Sequence, residues 1–146
     1  MNGDTDFTGR KVLVVGGSSG IGNGIAHAFA ARGAAVHVWG TRPRAEDYDP
    51  AEGSDLAGLG YTNVDVGDPD AIEAAPAPFE GLDILVLCQG TVVYKRGEFE
   101  RAGWDHVMAV NLDSLMHISR KFKPQLLETQ GSVIIVSSIS GLKANI

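Results

Sequence analysis

The sequence predicts an α/β fold, with one doubly wound parallel sheet covered by helices on both faces. Three observations carry this. Residues 12–15 and 84–87 are continuous apolar runs rather than alternating ones, as in strands buried on both sides. Stretches of helical spacing lie between the runs, which suits crossover connections. The first run ends in Gly16, Gly17, Gly20 and Gly22, with Ser18 and Ser19 between them, and a helix pattern follows directly.

In chain order, residues 12–15 form the first strand. Ile21, Ile25, Ala28 and Phe29 then recur at helical spacing over 20–32, and Gly33 stands where a C-cap is expected. Residues 35–39 read as a second strand, with alternation from Val36. His37 lies in it as a packed or half-exposed side chain, with no second ligand at metal spacing. Residues 46–60 are polar and acidic, broken by Pro50, Gly53, Gly58 and Gly60, and predict a short helix or none. Residues 61–66 predict a third strand, 70–78 a short proline-limited helix, and 82–90 a fourth strand running into a glycine turn. After a loop over 92–103, residues 104–120 form a long helix with Val107, Val110, Leu115 and Ile118 as its apolar stripe. Met108 and Met116 read as core there, and His106 and His117 as surface positions. Residues 131–141 give a fifth strand that runs out into serines.

The 146 residues amount to one domain, here a single dinucleotide-binding domain over 1–146, long enough to bury a core without staples. Hydrophobic content is 44% and mean hydropathy +0.02, ordinary for a soluble protein. The one cysteine, Cys88, reads as a small buried hydrophobe and fits a reducing cytoplasm. No apolar stretch reaches the ~20 residues of a membrane span, and the polar N-terminus is unlike a signal peptide. A net charge of −6 with no basic stripe speaks against nucleic acid as a partner.

The strand–glycine turn–helix stretch is a phosphate cradle in chemical terms. Glycines turn the chain sharply and leave no Cβ between backbone and ligand, while the first helical N–H groups and the helix dipole favour an anion. The spacing Gly16-x-x-x-Gly20-Ile21-Gly22 resembles the glycine motif of the short-chain dehydrogenase/reductase family in its classical branch, with Val15 where that motif carries threonine. The chain is similar to the N-terminal portion of such a protein, and the resemblance implies a Rossmann-like sheet.

What the resemblance implies about function follows residue by residue. Gly16, Ser18, Ser19, Gly20, Ile21 and Gly22 would hold the pyrophosphate of a dinucleotide. At the end of the second strand an acid would bond a ribose 2′-hydroxyl and an arginine a 2′-phosphate. Gly40, Thr41 and Arg42 stand there, which favours NADP over NAD unless Arg42 and Arg44 are merely solvated. Asp65 and Val66 resemble the pair that holds adenine, although Asp65 could instead cap the following segment. Cys88, Gln89 and Gly90 replace most of an Asn-Asn-Ala-Gly motif, and their backbone atoms can keep its contacts. Asn111, within Val-Asn-Leu-x-Ser, matches the asparagine that holds a proton-relay water, and Ser138, in Ser-x-x-Gly141, matches the catalytic serine. No metal site is expected.

The expected function is hydride transfer between a nicotinamide and a small carbonyl or alcohol, in a cytoplasmic homo-oligomer. The family's tyrosine and lysine, Tyr-x-x-x-Lys, would fall beyond Ile146, so the chain reads as truncated before the catalytic segment and the sheet as incomplete on its C-terminal side. A non-catalytic dinucleotide-binding module is the alternative.

Overall fold

The computed structural model describes residues 6–141. Five parallel strands run β1 Lys11–Val15, β2 Ala35–Gly40, β3 Gly60–Asn63, β4 Ile84–Leu87 and β5 Ser132–Ile135. Their order across the sheet is β3-β2-β1-β4-β5. β1 is central, with Val12 opposite both Val36 of β2 and Ile84 of β4. The strand order reverses beside β1, between β2 and β4, and a crevice at such a switch point is where ligands of open α/β sheets bind.

Alternation along β1 divides the core into two layers. Val12 and Val14 point to one face, where they meet Val36, Val38, Val86 and Ala26 of helix α1, Gly20–Ala30. Leu13 and Val15 point to the other, where Trp39, Leu85 and Leu87 meet Val110, Ile118 and Phe122. Phe122 belongs to helix α4, Ser114–Thr129, and its ring lies 5.6 Å from that of Trp39. Between the two faces, residues 12–15 of β1 are fully enclosed, which is why they are all apolar.

Several boundaries and burials differ from the sequence expectation. The first helix ends at Ala30, and Gly33 follows with φ +90°, its N–H on the Ala30 carbonyl. β3 and β4 are shorter than expected because the chain leaves the sheet to form the cleft. The short helix is α2, Pro69–Ala74, capped by Asp68, whose carboxylate accepts the Asp70 N–H. Residues 45–47 and 50–52 each form a single 3-10 turn.

The long helix begins earlier and ends later than expected. It comprises α3, Arg101–Met108, a π-helical turn Ala109–Asp113, and α4, which carries Pro124 on its exposed side. Met116, expected in the core, is 55% exposed, whereas His117, expected on the surface, is half-buried. Ile21, expected on the apolar face of α1, is 72% exposed because it sits in the first turn, facing the crevice. His37 is half-buried, bonded to the Thr62 hydroxyl at 2.7 Å, and burial depresses its pKa.

Candidate functional site

The C-terminal ends of β1, β2 and β4 frame a cleft of about 550 Å³. Its floor is the glycine turn. Gly16 has φ +75°, and a Cβ there would stand 2.8 Å from the Gln89 backbone nitrogen, so the β1 and β4 turns touch at a point only glycine fits. A Cβ on Gly22 would overlap the Gly16 carbonyl oxygen, so α1 docks directly on the turn that precedes it. Ser18, Ser19, Ile21 and Gly22 complete this side.

The β2 end contributes Gly40 and Thr41, and the chain after β3 contributes Val64, Asp65 and Val66. Asp65 both lines the cleft and accepts the Gly67 N–H at 2.9 Å, so its carboxylate also steadies the turn into α2 without capping that helix. Cys88, Gln89, Gly90 and Thr91 follow β4 along the opposite wall. Burial pushes the Cys88 thiol up, so it is held protonated. The Gln89 amide donates to the Ser114 hydroxyl at 2.7 Å, and that hydroxyl donates to the Val110 carbonyl at 2.6 Å.

Four expected site residues lie outside the cleft lining: Gly20, Arg42, Asn111 and Ser138. The Gly20 N–H, expected to face a ligand, is instead taken by the Gly53 carbonyl at 3.2 Å. Arg42 lays its guanidinium 4.8 Å from the centre of the Tyr48 ring and donates to the Asp47 carbonyl. Asn111 sits in the π-helical turn, and both ends of its amide hold Thr91: Oδ1 accepts the Thr91 N–H at 2.8 Å and Nδ2 donates to the Thr91 carbonyl at 2.9 Å. Single wide turns of this kind recur at functional positions in helices. Ser138 follows Val136, which does line the cleft, and its hydroxyl accepts the Ser140 N–H at 3.2 Å.

The cleft also takes in residues the sequence reading passed over. Trp39 and Val64 lie next to Gly40 and Asp65, which were singled out, so position near the strand ends could have found them. His106 had been read only as a surface residue, and its place at the cleft depends on where the loop over 92–100 returns, for which the sequence carries no signal.

The residues present suit a dinucleotide. Trp39 Nε1 and Gln89 Oε1 are buried in the cleft wall with no hydrogen-bond partner among the described residues. Together with a floor closed to any Cβ, they mark a surface built for close approach of a polar ligand. No group of three or more His, Cys, Asp and Glu side chains able to hold a metal occurs among the described residues.

A family model described as short chain dehydrogenase matches residues 10–146. The chain belongs to this family. It is 36% identical to Nodulation protein G of Rhizobium sp. (strain N33), covering 96% of this chain and 59% of that protein. It is 35% identical to the D-beta-hydroxybutyrate dehydrogenase of Cupriavidus necator, covering 95% of this chain and 57% of that one. Among solved structures, an Agrobacterium tumefaciens protein provisionally assigned as a 2-deoxy-D-gluconate 3-dehydrogenase, with bound NADP, is 31% identical with a TM-score of 0.78. That match covers 99% of this chain and 59% of the other. The short chain dehydrogenase chain in hand thus spans somewhat under three-fifths of the length of these relatives.

Proposed function

We propose that this chain is the nucleotide-binding part of an NAD(P)-dependent oxidoreductase that moves a hydride between a nicotinamide and the carbonyl or alcohol carbon of a small substrate. The observation that carries the reading is the cleft at the switch point of the sheet, with a glycine floor that admits no side chain. In this reading the pyrophosphate lies over Gly16–Gly22, adenine against Asp65 and Val66, and the nicotinamide ribose beside Cys88, Gln89 and Gly90.

NADP is favoured over NAD, because no carboxylate stands at Gly40 and the Thr41 hydroxyl and Arg42 guanidinium are the nearest partners for a 2′-phosphate. Arg42 reaches it by leaving the Asp47 carbonyl, a contact on the exposed side of the turn. When bound, the nicotinamide supplies or accepts the hydride.

The chain's own residues position the reactants. Asn111 clamps Thr91 through both backbone groups and so fixes the turn at Gly90. The wide helical turn around Asn111 provides the site for a relay water. Ser138 hydrogen-bonds the substrate oxygen and stabilises charge as it develops there. No Tyr-x-x-x-Lys pair occurs among the 146 residues, so in this reading the acid–base step rests on residues that this sequence does not contain. A cytoplasmic homo-oligomer belongs to the same reading. No helix among the described residues is long and apolar enough to cross a membrane.

Titration with NADPH and with NADH, followed by nicotinamide fluorescence, tests the reading. Saturable binding of both, tighter for NADPH, is the expected result. No saturable change with either nucleotide overturns it.

A further inference from the structure

Between β2 and β3 the chain forms an irregular strap over 41–59 in place of a crossover helix, and the strap is tied at two points to the elements that frame the cleft. The Gly53 carbonyl accepts the Gly20 N–H, and the Asp55 carbonyl accepts from the Asn23 amide at 2.7 Å. The second point is Tyr48, which is buried at the end of β2. Its phenolic oxygen accepts the backbone N–H groups of both Thr41 and Arg42, each at 3.0 Å. The Tyr61 hydroxyl lies 3.4 Å from the same oxygen and donates to the Arg42 carbonyl.

This oxygen occupies the place where nucleotide choice is made. A Cβ on Gly40 would stand 2.5 Å from Tyr48 Oη and 2.6 Å from Ser18 Oγ. An acidic side chain at position 40 therefore has no room, and the phenol fills the space it would use. Two successive backbone N–H groups that converge on one point make an anion-binding concavity. Here a neutral oxygen of the chain fills it. Burial pushes the Tyr48 phenol up, but its hydrogen bonds with Ser18, Tyr61, Arg42 and Thr41 outweigh burial and leave it below the usual tyrosine value. The surroundings thus favour negative charge at this oxygen.

We propose that Tyr48 is a specificity-determining residue: its hydroxyl occupies the Thr41–Arg42 N–H concavity beside Gly40 and withholds those donors from a ribose 2′-phosphate. The inference rests on the dinucleotide reading of the cleft. In the native protein a 2′-phosphate meets the Thr41 hydroxyl and the Arg42 guanidinium, but not the two backbone donors. Removal of the phenolic oxygen frees both donors for a phosphate and offers a 2′-hydroxyl far less.

Calorimetric titration of the protein and of Tyr48→Phe with NADPH and NADH tests this, with adenosine 2′,5′-bisphosphate and 5′-AMP as probes of the ribose end alone. The expected result is a rise of roughly tenfold in the preference for the 2′-phosphorylated member of each pair, the scale of one hydrogen bond to a charged group. NADH affinity stays close to native. Saturable binding with an unchanged or reduced preference overturns the role of Tyr48 while leaving the cleft assignment intact. No binding of any probe by the native protein overturns both. Tyr48→Met also lacks the acceptor oxygen, and loss of NADH binding in both variants shows a structural role only and overturns the proposal.

Discussion

Asp83 ties the start of β1 to the start of β4 from outside both strands. Its carboxylate accepts the Lys11 N–H at 2.8 Å and pairs with the Arg10 guanidinium at 2.9 Å, with the side chain only 16% exposed. Burial pushes the carboxyl up, but the Lys11 N–H and Arg10 outweigh it and hold the pKa below the ordinary value. The folded state therefore binds this proton less readily than the unfolded chain. The stabilisation is fully present above the unfolded value of ~3.9 and is lost as pH falls through the lower folded value. Asp83→Asn should cost about 1–2 kcal/mol at neutral pH and flatten the acid limb of the stability curve, as read by urea unfolding between pH 3 and 7. An acid limb unchanged in the variant would show that Asp83 carries none of it. At this scale the sequence was legible where a residue acts through its own backbone at a strand end, as in the tight turn at Gly16. It was not legible where a partner comes from a distant loop, as for Tyr48 on Thr41 or Asn111 on Thr91.

Local spacing reads an element's type better than its facing. The glycine turn and α1 were legible because strand, turn and helix are contiguous, and their packing depends on adjacent residues. Two glycines of α1 test that packing against simple helix propensity. Gly22→Ala drives a methyl into the Gly16 carbonyl, whereas a Cβ on Gly24 meets nothing. Gly22→Ala should lower stability by about 3 kcal/mol and abolish nucleotide binding. Gly24→Ala should raise stability by roughly 0.5–1 kcal/mol and leave binding unaltered. Thermal unfolding of the pair checks this, and equal effects would refute the docking of α1 on its turn. The helix through Asn111 was harder to read. Leu115 and Ile118 pack into the core as the predicted stripe requires, but Met116 beside them is exposed and His117 half-buried, so residue type misled where spacing did not.

At the scale of the molecule, continuous apolar strands implied burial on both faces, and the two core layers around β1 bear this out. The sheet's outer strand β5 is different. Val133, Ile134 and Ile135 are 43–54% exposed among the described residues, as expected for a sheet read as incomplete on its C-terminal side. Burial of an edge strand depends on what lies against it, and that is not written in the strand itself. The glycine turn after the first strand was legible, whereas the strand order that puts a switch point beside it came from the structure. The irregular strap that shapes the cleft's ribose end was not legible either, because residues 46–60 show no period to read. The central claim is that this cleft binds a nicotinamide dinucleotide, and backbone NMR of the labelled protein with and without NADPH tests it most directly. The account predicts saturable shifts concentrated at Gly16–Gly22, Thr41, Asp65–Val66 and Cys88–Thr91. Shifts that are absent, or that gather instead around Met116, Leu127 and Val133 on the far side of α4, would contradict it.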